Sequence, residues 1–257
     1  MKIRRTPEGK TLLILVFLIL LCGIVSCPSD DDDDDNNGSA YFPSQDGNQW
    51  IYQTTYYDDS TSEITQKISG TKNFANVNCQ IMIETETTEP GEEQRRYFVD
   101  SGSAISIYGY EDYENGTLVE TYISPQPMKF FVYPLTVGQT WDVINLTNVA
   151  PSTIWPDSTD DVDGDGTPDT MDFKMTATVK EEATVTVPAG SFNSFKIEYH
   201  NKMTIHMSSS GQDFVMEWIQ QHSWMGPNIG IVQEINYEDD ESEIVMTSKL
   251  KEYHLGN

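Results

Sequence analysis

DFVMEWIQQHSW, residues 213–224, is the stretch that decides the fold of this chain. Successive side chains of a β-strand point to opposite faces, and here large residues recur at every second position. The face so defined carries Met216, Trp218, Gln220, His222 and Trp224. A period of two over so long a run predicts an antiparallel strand with one face buried and the other in water.

Two more segments repeat this alternation. Residues 179–187 interleave valines with threonines, and residues 242–255 place on one face Ile244, Met246, Ser248 and Leu250. Turn signals separate such segments, among them Asn115-Gly116, Pro188-Ala189-Gly190, Ser210-Gly211, Pro227-Asn228 and Asp239-Asp240. No apolar stripe at helical spacing extends beyond about two turns. These observations predict an all-β fold in which antiparallel strands follow one another as a meander.

One motif occurs twice. Residues 41–50 (YFPSQDGNQW) and 132–141 (VYPLTVGQTW) each contain an aromatic-Pro pair, a glycine four residues after the proline and a tryptophan three residues after the glycine. Pro and Gly frame a turn, and Trp50 and Trp141 each open the next strand and are expected to face inward. The echo indicates either two related halves of one sheet or one turn used twice.

These motifs, together with Val187-Pro188-Ala189-Gly190-Ser191-Phe192 and Gly226 … Gly230-Ile231-Val232, resemble a widespread group of uncharacterised bacterial secreted proteins and lipoproteins. That group is similar to half-barrel lipoprotein carriers of the LolA type. The resemblance implies that residues 41–257 form a single β domain, a curved antiparallel sheet shaped as a half-barrel or an open barrel-like meander. It carries over no catalytic residues, because the shared motifs are structural turns.

The N-terminus has the layout of a secretory signal. Four basic residues precede an apolar run over residues 12–21, which is shorter than the roughly 20 residues of a membrane-spanning helix. The run ends in Ile24-Val25-Ser26-Cys27, which resembles the lipobox of bacterial lipoproteins. The resemblance implies that the signal peptide, residues 1–26, is removed. It also implies that Cys27 carries diacylglycerol on its sulfur and an acyl chain, such as palmitate, on its amine.

Residues 27–40 form an acidic tether between this anchor and the β domain. Six consecutive aspartates occupy residues 30–35, and no sizeable apolar residue is available for burial, so the segment is expected to be extended and disordered. An acidic cluster just after the lipidated cysteine resembles the surface-export signal of Bacteroidetes lipoproteins. Pro28, rather than the aspartate of inner-membrane retention signals, follows the cysteine. We therefore expect an outer-membrane protein with a lipid anchor in the membrane. The acidic cluster favours exposure at the cell surface; the alternative is a periplasmic domain for which the cluster is only a solvated spacer.

The mature chain is strongly acidic. The whole sequence has 15 Lys and Arg residues against 41 Asp and Glu residues. Removal of residues 1–26 takes away four basic residues and one acidic residue, which leaves a net charge of −29. Such a surface repels nucleic acid and attracts cations. A nucleic-acid partner is thereby excluded, and a lipid, glycan or protein ligand is left open.

The most specific motif is DVDGDGTPDTMD, residues 161–172, in an insertion expected at about 157–172. Calcium prefers several oxygen ligands, and the loop resembles those of EF-hands, dockerins and thrombospondin type 3 repeats. The expected ligands are Asp161, Asp163, Asp165, the backbone carbonyl of Thr167, Asp169 and Asp172. Gly166 would permit the sharp turn at position 6. We expect bound calcium with a structural role; the alternative is a solvated acidic loop without an ion.

Two departures separate this loop from an EF-hand sensor. Asp172 takes the last position, where the EF-hand has a longer glutamate, and Pro168 lacks the N–H through which paired EF-hand loops join. The flanks are also not helical, because prolines precede the loop and residues 172–187 have the pattern of a strand. We therefore expect a solitary calcium loop between two strands.

Other candidate groups are weaker. Three histidines, His200, His206 and His222, are too scattered to predict zinc, which needs three or four convergent ligands. Cys79 is the only cysteine after Cys27, so an internal disulfide is excluded and a buried thiol is expected. A tyrosine cluster would suit sugar stacking, but cross-strand packing is the favoured interpretation. The cluster contains Tyr108, Tyr110, Tyr113 and Tyr122.

No catalytic signature is present: the chain has no G-x-S-x-G, H-E-x-x-H, Walker or G-x-G-x-x-G motif. We therefore expect a non-enzymatic protein with a binding or envelope role. One alternative is a carrier of lipid or another apolar ligand, which needs an apolar groove in the sheet. Another is a carbohydrate-binding or carbohydrate-active protein, which as a hydrolase needs two carboxylates at a fixed separation.

Overall fold

The computed structural model describes residues 42–154, 158–208, 210–238 and 243–254. The predicted signal peptide (1–26), the tether (27–40) and Cys27 lie outside the described residues. Within these ranges the chain forms twelve strands. They are β1 Gln49–Tyr56, β2 Thr61–Phe74, β3 Val77–Glu86, β4 Glu92–Asp100, β5 Ala104–Glu114, β6 Thr117–Val132, β7 Thr140–Val149, β8 Thr170–Val187, β9 Gly190–His206, β10 Asp213–Gly226, β11 Gly230–Tyr237 and β12 Ile244–His254. A 3₁₀ turn spans Pro151–Thr153. In the described part of the chain, no helix is long and apolar enough to cross a membrane.

The strands belong to one antiparallel sheet. Strands β1–β6 form one meander and β7–β12 a second, and β1 pairs with β12, so that β6 and β7 are the outer strands. These two strands approach each other. The indole N–H of Trp141 donates to Lys129 O at 2.8 Å, and the Gln126 amide donates to Asn145 O at 3.1 Å. The predicted all-β fold with a curved antiparallel sheet is confirmed, as a nearly closed, barrel-like meander.

Each meander begins with the same turn. Gly47 and Gly138 have φ values of 88° and 87°, in the left-handed region that favours glycine. The N–H of Gly47 donates to Ile68 O at 3.0 Å, and the N–H of Gly138 donates to Val179 O at 2.8 Å. The repeated motif therefore forms one turn twice, at the start of two six-stranded halves of the sheet.

The connections alternate between the two ends of the sheet because each strand runs antiparallel to its neighbours. Phe42 and the β2–β3 turn lie at one end, which we call the tether end because the tether precedes Phe42 in the chain. The opposite end, which we call the distal end, carries the β1–β2, β3–β4, β5–β6, β7–β8, β9–β10 and β11–β12 connections. The predicted calcium loop is the β7–β8 connection and therefore lies at the distal end.

Aromatic side chains from different strands fill the interior of the sheet. Tyr199 on β9 stacks on Phe130 of β6 with ring centroids 5.0 Å apart, and its hydroxyl donates to Phe130 O at 3.2 Å. Trp50 is fully buried, as expected. Trp141, also expected inside, is only partly buried because its indole spans the seam between β6 and β7. Each large apolar side chain buried in this way contributes about 1.5–3 kcal/mol to folding.

A layer of polar residues also lies inside the sheet. Glu84 accepts hydrogen bonds from Gln66 at 2.6 Å and from the Arg96 guanidinium at 3.1 Å, and all three side chains are buried. Asn236 donates to the fully buried Glu234 at 2.9 Å. Burial raises the pKa of Glu234 well above its ordinary value, and the Asn236 hydrogen bond and the charge of Arg96 oppose this shift only in part. The layer therefore holds one ion pair and one carboxyl that favours its protonated form.

The predicted face of β10 is wrong in its second half. A β-bulge between Ile219 and Gln221 inserts an extra residue into the strand, and an extra residue reverses the alternation of faces. Past the bulge, the residues that face the core are Gln221, Ser223 and Met225. His222, expected on that face, lies on the other one, where its Nδ1 is 3.0 Å from the Tyr237 hydroxyl.

Candidate metal centre

The predicted calcium loop is described from residue 158 to residue 169, and β8 begins at the next residue. The N–H of Asp169 donates to Asp160 O at 2.7 Å, which ties the end of the loop to its beginning. The Asp160 carboxylate accepts the N–H of Ser152 at 3.0 Å. That bond fastens the loop to the preceding 3₁₀ turn, so the loop has a fixed base on β7 and β8.

Three of the predicted ligands converge. One carboxylate oxygen from each of Asp161, Asp163 and Asp169 lies within 4.8 Å of the other two. Oxygen ligands bind calcium at about 2.3–2.6 Å, so oxygens on opposite sides of one ion lie up to about 5 Å apart. The three carboxylates therefore fit the coordination sphere of one calcium ion. Among the described residues, no other group of three His, Cys, Asp or Glu side chains meets this spacing.

Backbone N–H groups orient the first of these ligands. The Asp161 carboxylate accepts the N–H groups of Gly164, Asp165 and Gly166 at 2.7, 3.0 and 2.8 Å. Gly164 and Gly166 have φ values of 78° and 91°, a conformation that costs other residues about 1–2 kcal/mol. The prediction that Gly166 permits the sharp turn is confirmed, and the turn wraps the backbone around Asp161.

Asp169 joins the loop to a second part of the distal end. Its side chain is 1% exposed and accepts the N–H of Ser208 at 2.7 Å and the N–H of Val162 at 2.8 Å. The Ser208 bond is the main cause that lowers the pKa of Asp169 below its ordinary value. Asp169 is therefore held as a carboxylate, the form that binds a cation.

The other predicted carboxylates, those of Asp165 and Asp172, do not belong to this group of three. The Asp165 carboxylate accepts the N–H of Thr167 at 2.6 Å, and Thr167 O faces the hydroxyl of Ser208 at 3.4 Å. Asp172 is already within β8, where it pairs with Thr204, and its carboxylate accepts the N–H of Asn148 at 2.8 Å. The geometry thus brings together three carboxylates of the six expected ligands and turns Asp172 toward neighbouring strands.

Neither Ser208 nor the surroundings of His206 were predicted from the sequence. Both lie on or beside the β9–β10 turn, about forty positions from the loop, and no local pattern signals such a contact. His206 Nδ1 is 2.8 Å from Asp213 and its Nε2 is 3.5 Å from Asp172. The Asp213 hydrogen bond is the main cause that raises the pKa of His206 above its ordinary value, and Asp172 adds to it.

The remaining sequence candidates form no second centre in the described residues. His222 contacts Tyr237 and faces Glu198 at 3.4 Å, well separated along the sheet from His206 and its partners. Cys79 is fully buried beside Phe74, as expected, and burial raises the pKa of its thiol. A thiol of this kind packs as a small apolar group.

The tyrosine cluster packs between strands. Tyr110 and Tyr122 are direct cross-strand partners, and their rings stack with centroids 5.3 Å apart. Tyr113 instead lies under the Arg95 guanidinium at 4.1 Å and donates to Glu111 at 2.8 Å. The favoured interpretation, cross-strand packing, is confirmed for the Tyr110–Tyr122 pair.

The described part of the chain has at least two surface clefts. The larger of these two, of about 380 Å³, lies at the distal end between the β3–β4 and β5–β6 turns, and four glutamates are among its lining residues. These are Glu86, Glu89, Glu92 and Glu93. The smaller, of about 180 Å³, lies at the β6–β7 seam. Neither cleft is the apolar groove that a lipid carrier requires.

Solved structures offer two similar chains. One is a candidate lipoprotein from Parabacteroides distasonis, with 14% identity and a TM-score of 0.38. The other is a candidate exported protein with a YmcC-like fold from Bacteroides fragilis, with 15% identity and a TM-score of 0.32. Each alignment covers 84% of this chain and 99% of the other. No curated protein matches the chain. Residues 154–250 of this chain are similar to the DUF3108-like protein family.

Proposed function

We propose that this protein is a lipid-anchored outer-membrane protein, exposed at the cell surface, whose β domain presents a calcium-stabilised distal end for a non-enzymatic binding role. The anchor part of the proposal rests on the lipobox-like segment that ends at Cys27 and on the acidic tether that follows it. Phe42, the first described residue, lies at the tether end, so in this proposal the β7–β8 loop would lie at the end away from the membrane.

The observation that carries the calcium part is the convergence of Asp161, Asp163 and Asp169 within 4.8 Å. Three carboxylates at this distance repel one another unless a cation lies between them. The oxygen-only donor set suits a hard divalent ion such as calcium. Bound calcium would remove the repulsion and hold the β7–β8 loop in one conformation.

The ion would act as a structural support and not as a signal. Asp169 both belongs to the carboxylate group and accepts the N–H of Ser208, so an ion in the loop would also fix the β9–β10 turn. Extracellular calcium modules bind with dissociation constants of about 0.1–1 mM. A site of that affinity is mostly occupied only where free calcium exceeds the dissociation constant, as in a millimolar extracellular medium, and is empty at the micromolar levels at which calcium signals.

Mass spectrometry of the native protein tests the anchor. The proposal expects a mature N-terminus at Cys27 that carries diacyl and amide-linked acyl mass, and protease treatment of whole cells should remove the domain. A Cys27→Ser variant should lose the acyl mass and leave the membrane fraction. Normal processing at another residue without acyl mass would overturn the anchor.

A further inference from the structure

Strand β10 is longer than its neighbour β11, and the difference leaves an open edge. β9 pairs with β10 from Asp213 to Met225, whereas β11 pairs with β10 only from Gln221 to Gly226. Within the described residues, the β11 side of residues 213–219 has no strand partner. We call residues 213–219 the β10 edge. It begins directly after the β9–β10 turn, at the distal end.

Three consecutive apolar side chains on this edge are exposed to solvent. Phe214 is 48% exposed, Val215 51% and Met216 38%. Phe214 and Met216 stand opposite Ile205 and Met203, which belong to the core, so they extend the inner apolar surface beyond the end of β11. Val215 points to the other face. Apolar residues on both faces of an unpaired strand are the pattern of a template for strand addition.

The β10 edge has little of the usual protection against pairing. Natural edge strands are blunted by lysines, prolines or bulges; residues 213–219 contain no lysine and no proline, and the β-bulge of β10 comes only at the end of the edge, after Ile219. The two charged residues of the edge are engaged on the β9 side. Asp213 lies 2.8 Å from His206, and Glu217 lies 2.6 Å from Lys202.

The negative charge around the β10 edge favours a basic binding partner. On one side, the β9–β10 turn contacts the acidic loop through the Ser208–Asp169 bond. On the other side, β11 pairs with β10 through Asn236 and Gln221. Glu238 lies two residues beyond Asn236, and its N–H donates to Glu243 O across the β11–β12 turn. The chain as a whole has a net charge of −26. A second copy of this chain would be repelled, and a basic segment attracted.

We propose that the β10 edge binds an extended peptide segment, with apolar residues alternating with Lys or Arg, as an added antiparallel or parallel strand. The backbone of residues 213–219 would supply the ladder hydrogen bonds. Phe214 and Met216 would contact apolar side chains of the segment. The acidic groups on either side of the edge, in the β7–β8 loop and at Glu238 and Glu243, would attract its basic side chains. The inference gives a partner to the proposed binding role, but its test depends on neither the anchor nor calcium.

The probe is a peptide of four Lys-Val repeats that carries fluorescein at its N-terminus. It is titrated with the full mature chain in 150 mM salt, and binding is followed by fluorescence anisotropy. A matched peptide of four Glu-Val repeats is the charge control. The test variant is Phe214→Ser with Met216→Ser. The control variant is Leu118→Ser with Val119→Ser, which removes exposed apolar side chains from the β5–β6 hairpin at the same end. We expect the test variant to weaken binding of the Lys-Val peptide at least tenfold and the control variant to leave it unchanged.

Hydrogen exchange on the unmodified protein keeps the inference testable if the β10 variant fails to fold. The Lys-Val peptide should slow amide exchange within residues 213–219. Absence of binding, equal loss in both variants, equal binding of the Glu-Val peptide, or protection at another site would overturn the proposal. Self-association through residues 213–219 would also overturn it, because the occupant would then be a second copy.

Discussion

The carboxylate of Asp169 accepts a 2.7 Å hydrogen bond from the backbone N–H of Ser208, and this bond joins the β7–β8 loop to the β9–β10 turn. Asp169 and Ser208 are 39 residues apart in the chain. Asp169 is also one of the three carboxylates that converge in the loop. A cation bound there would therefore stabilise two neighbouring connections at the distal end, and loss of the cation should affect both.

Calcium should raise the melting temperature of the protein. At 5 mM calcium and a dissociation constant of about 0.5 mM, binding stabilises the folded state by about 1.4 kcal/mol. For a domain of this size that is a shift of about 3–5 °C. Asp163→Asn should abolish the shift in a thermal melt with and without chelator. Asp172→Asn is the matched control, because Asp172 lies in β8 and contacts Asn148; it should retain the shift.

Glu234→Gln should stabilise the protein at neutral pH. Burial raises the folded-state pKa of Glu234 well above its ordinary value of 4.5. The unfolded chain therefore ionises first, and stability falls as the pH rises from about 4.5 toward the folded pKa, by about 1.4 kcal/mol per pH unit. Urea unfolding should show no gain for the variant at pH 4 and a growing gain above pH 5. A gain of equal size at both pH values would show that ionisation is not the cause.

Gly109→Ala should be strongly destabilising. Gly109 has φ 149°, and a Cβ at this position would lie 2.1 Å from Tyr122 O and 2.9 Å from the ring of Phe74. Relief of that clash requires β5 and β6 to separate, so we expect a loss of about 3 kcal/mol or more in denaturant unfolding. Gly102→Ala is the control, because Gly102 has φ 77° with open space around it. It should cost about 1 kcal/mol. Equal losses would contradict the structure around Gly109.

His206 should titrate above its ordinary pKa of 6.5, mainly because it hydrogen-bonds Asp213 and secondarily because Asp172 is near. An NMR titration of the imidazole resonances checks this directly. Asp213→Asn should lower the midpoint by more than Asp172→Asn does, since the Asp213 contact is the shorter one at 2.8 Å. The opposite order would place the imidazole nearer to Asp172 than the structure does.

Sequence periodicity was sufficient for most of the fold. In β12 the predicted face is correct from Met246 to Leu250, which are buried together with Ser248 between them. In β10 the predicted face is wrong past Ile219, because one inserted residue reverses the faces. No residue type at that position predicts a bulge. The repeated turn was recognised from its proline, glycine and tryptophan, but its position at the start of two six-stranded halves required the strand order.

The candidate site was predicted only in part. The loop template identified Asp161, Asp163 and Asp169, because short spacings within one turn determine which side chains meet. It also named Asp172, which β8 directs toward Asn148 and His206. The EF-hand pattern describes loops flanked by helices. In this chain strand β8 begins at Thr170, inside the expected loop, so the pattern does not hold for Asp172. Contacts with Ser208 depend on the packing of β8 against β9, which local sequence does not encode.

The measurement that tests the account most directly is a calcium titration by isothermal calorimetry. The chelator-treated mature protein should bind one calcium ion per chain with a dissociation constant of about 0.1–1 mM. Asp161→Asn with Asp163→Asn should remove that binding, while Asp172→Asn retains it. Absence of binding to the unmodified protein at millimolar calcium, or unchanged binding in the double variant, would contradict the assignment of a calcium centre to this loop.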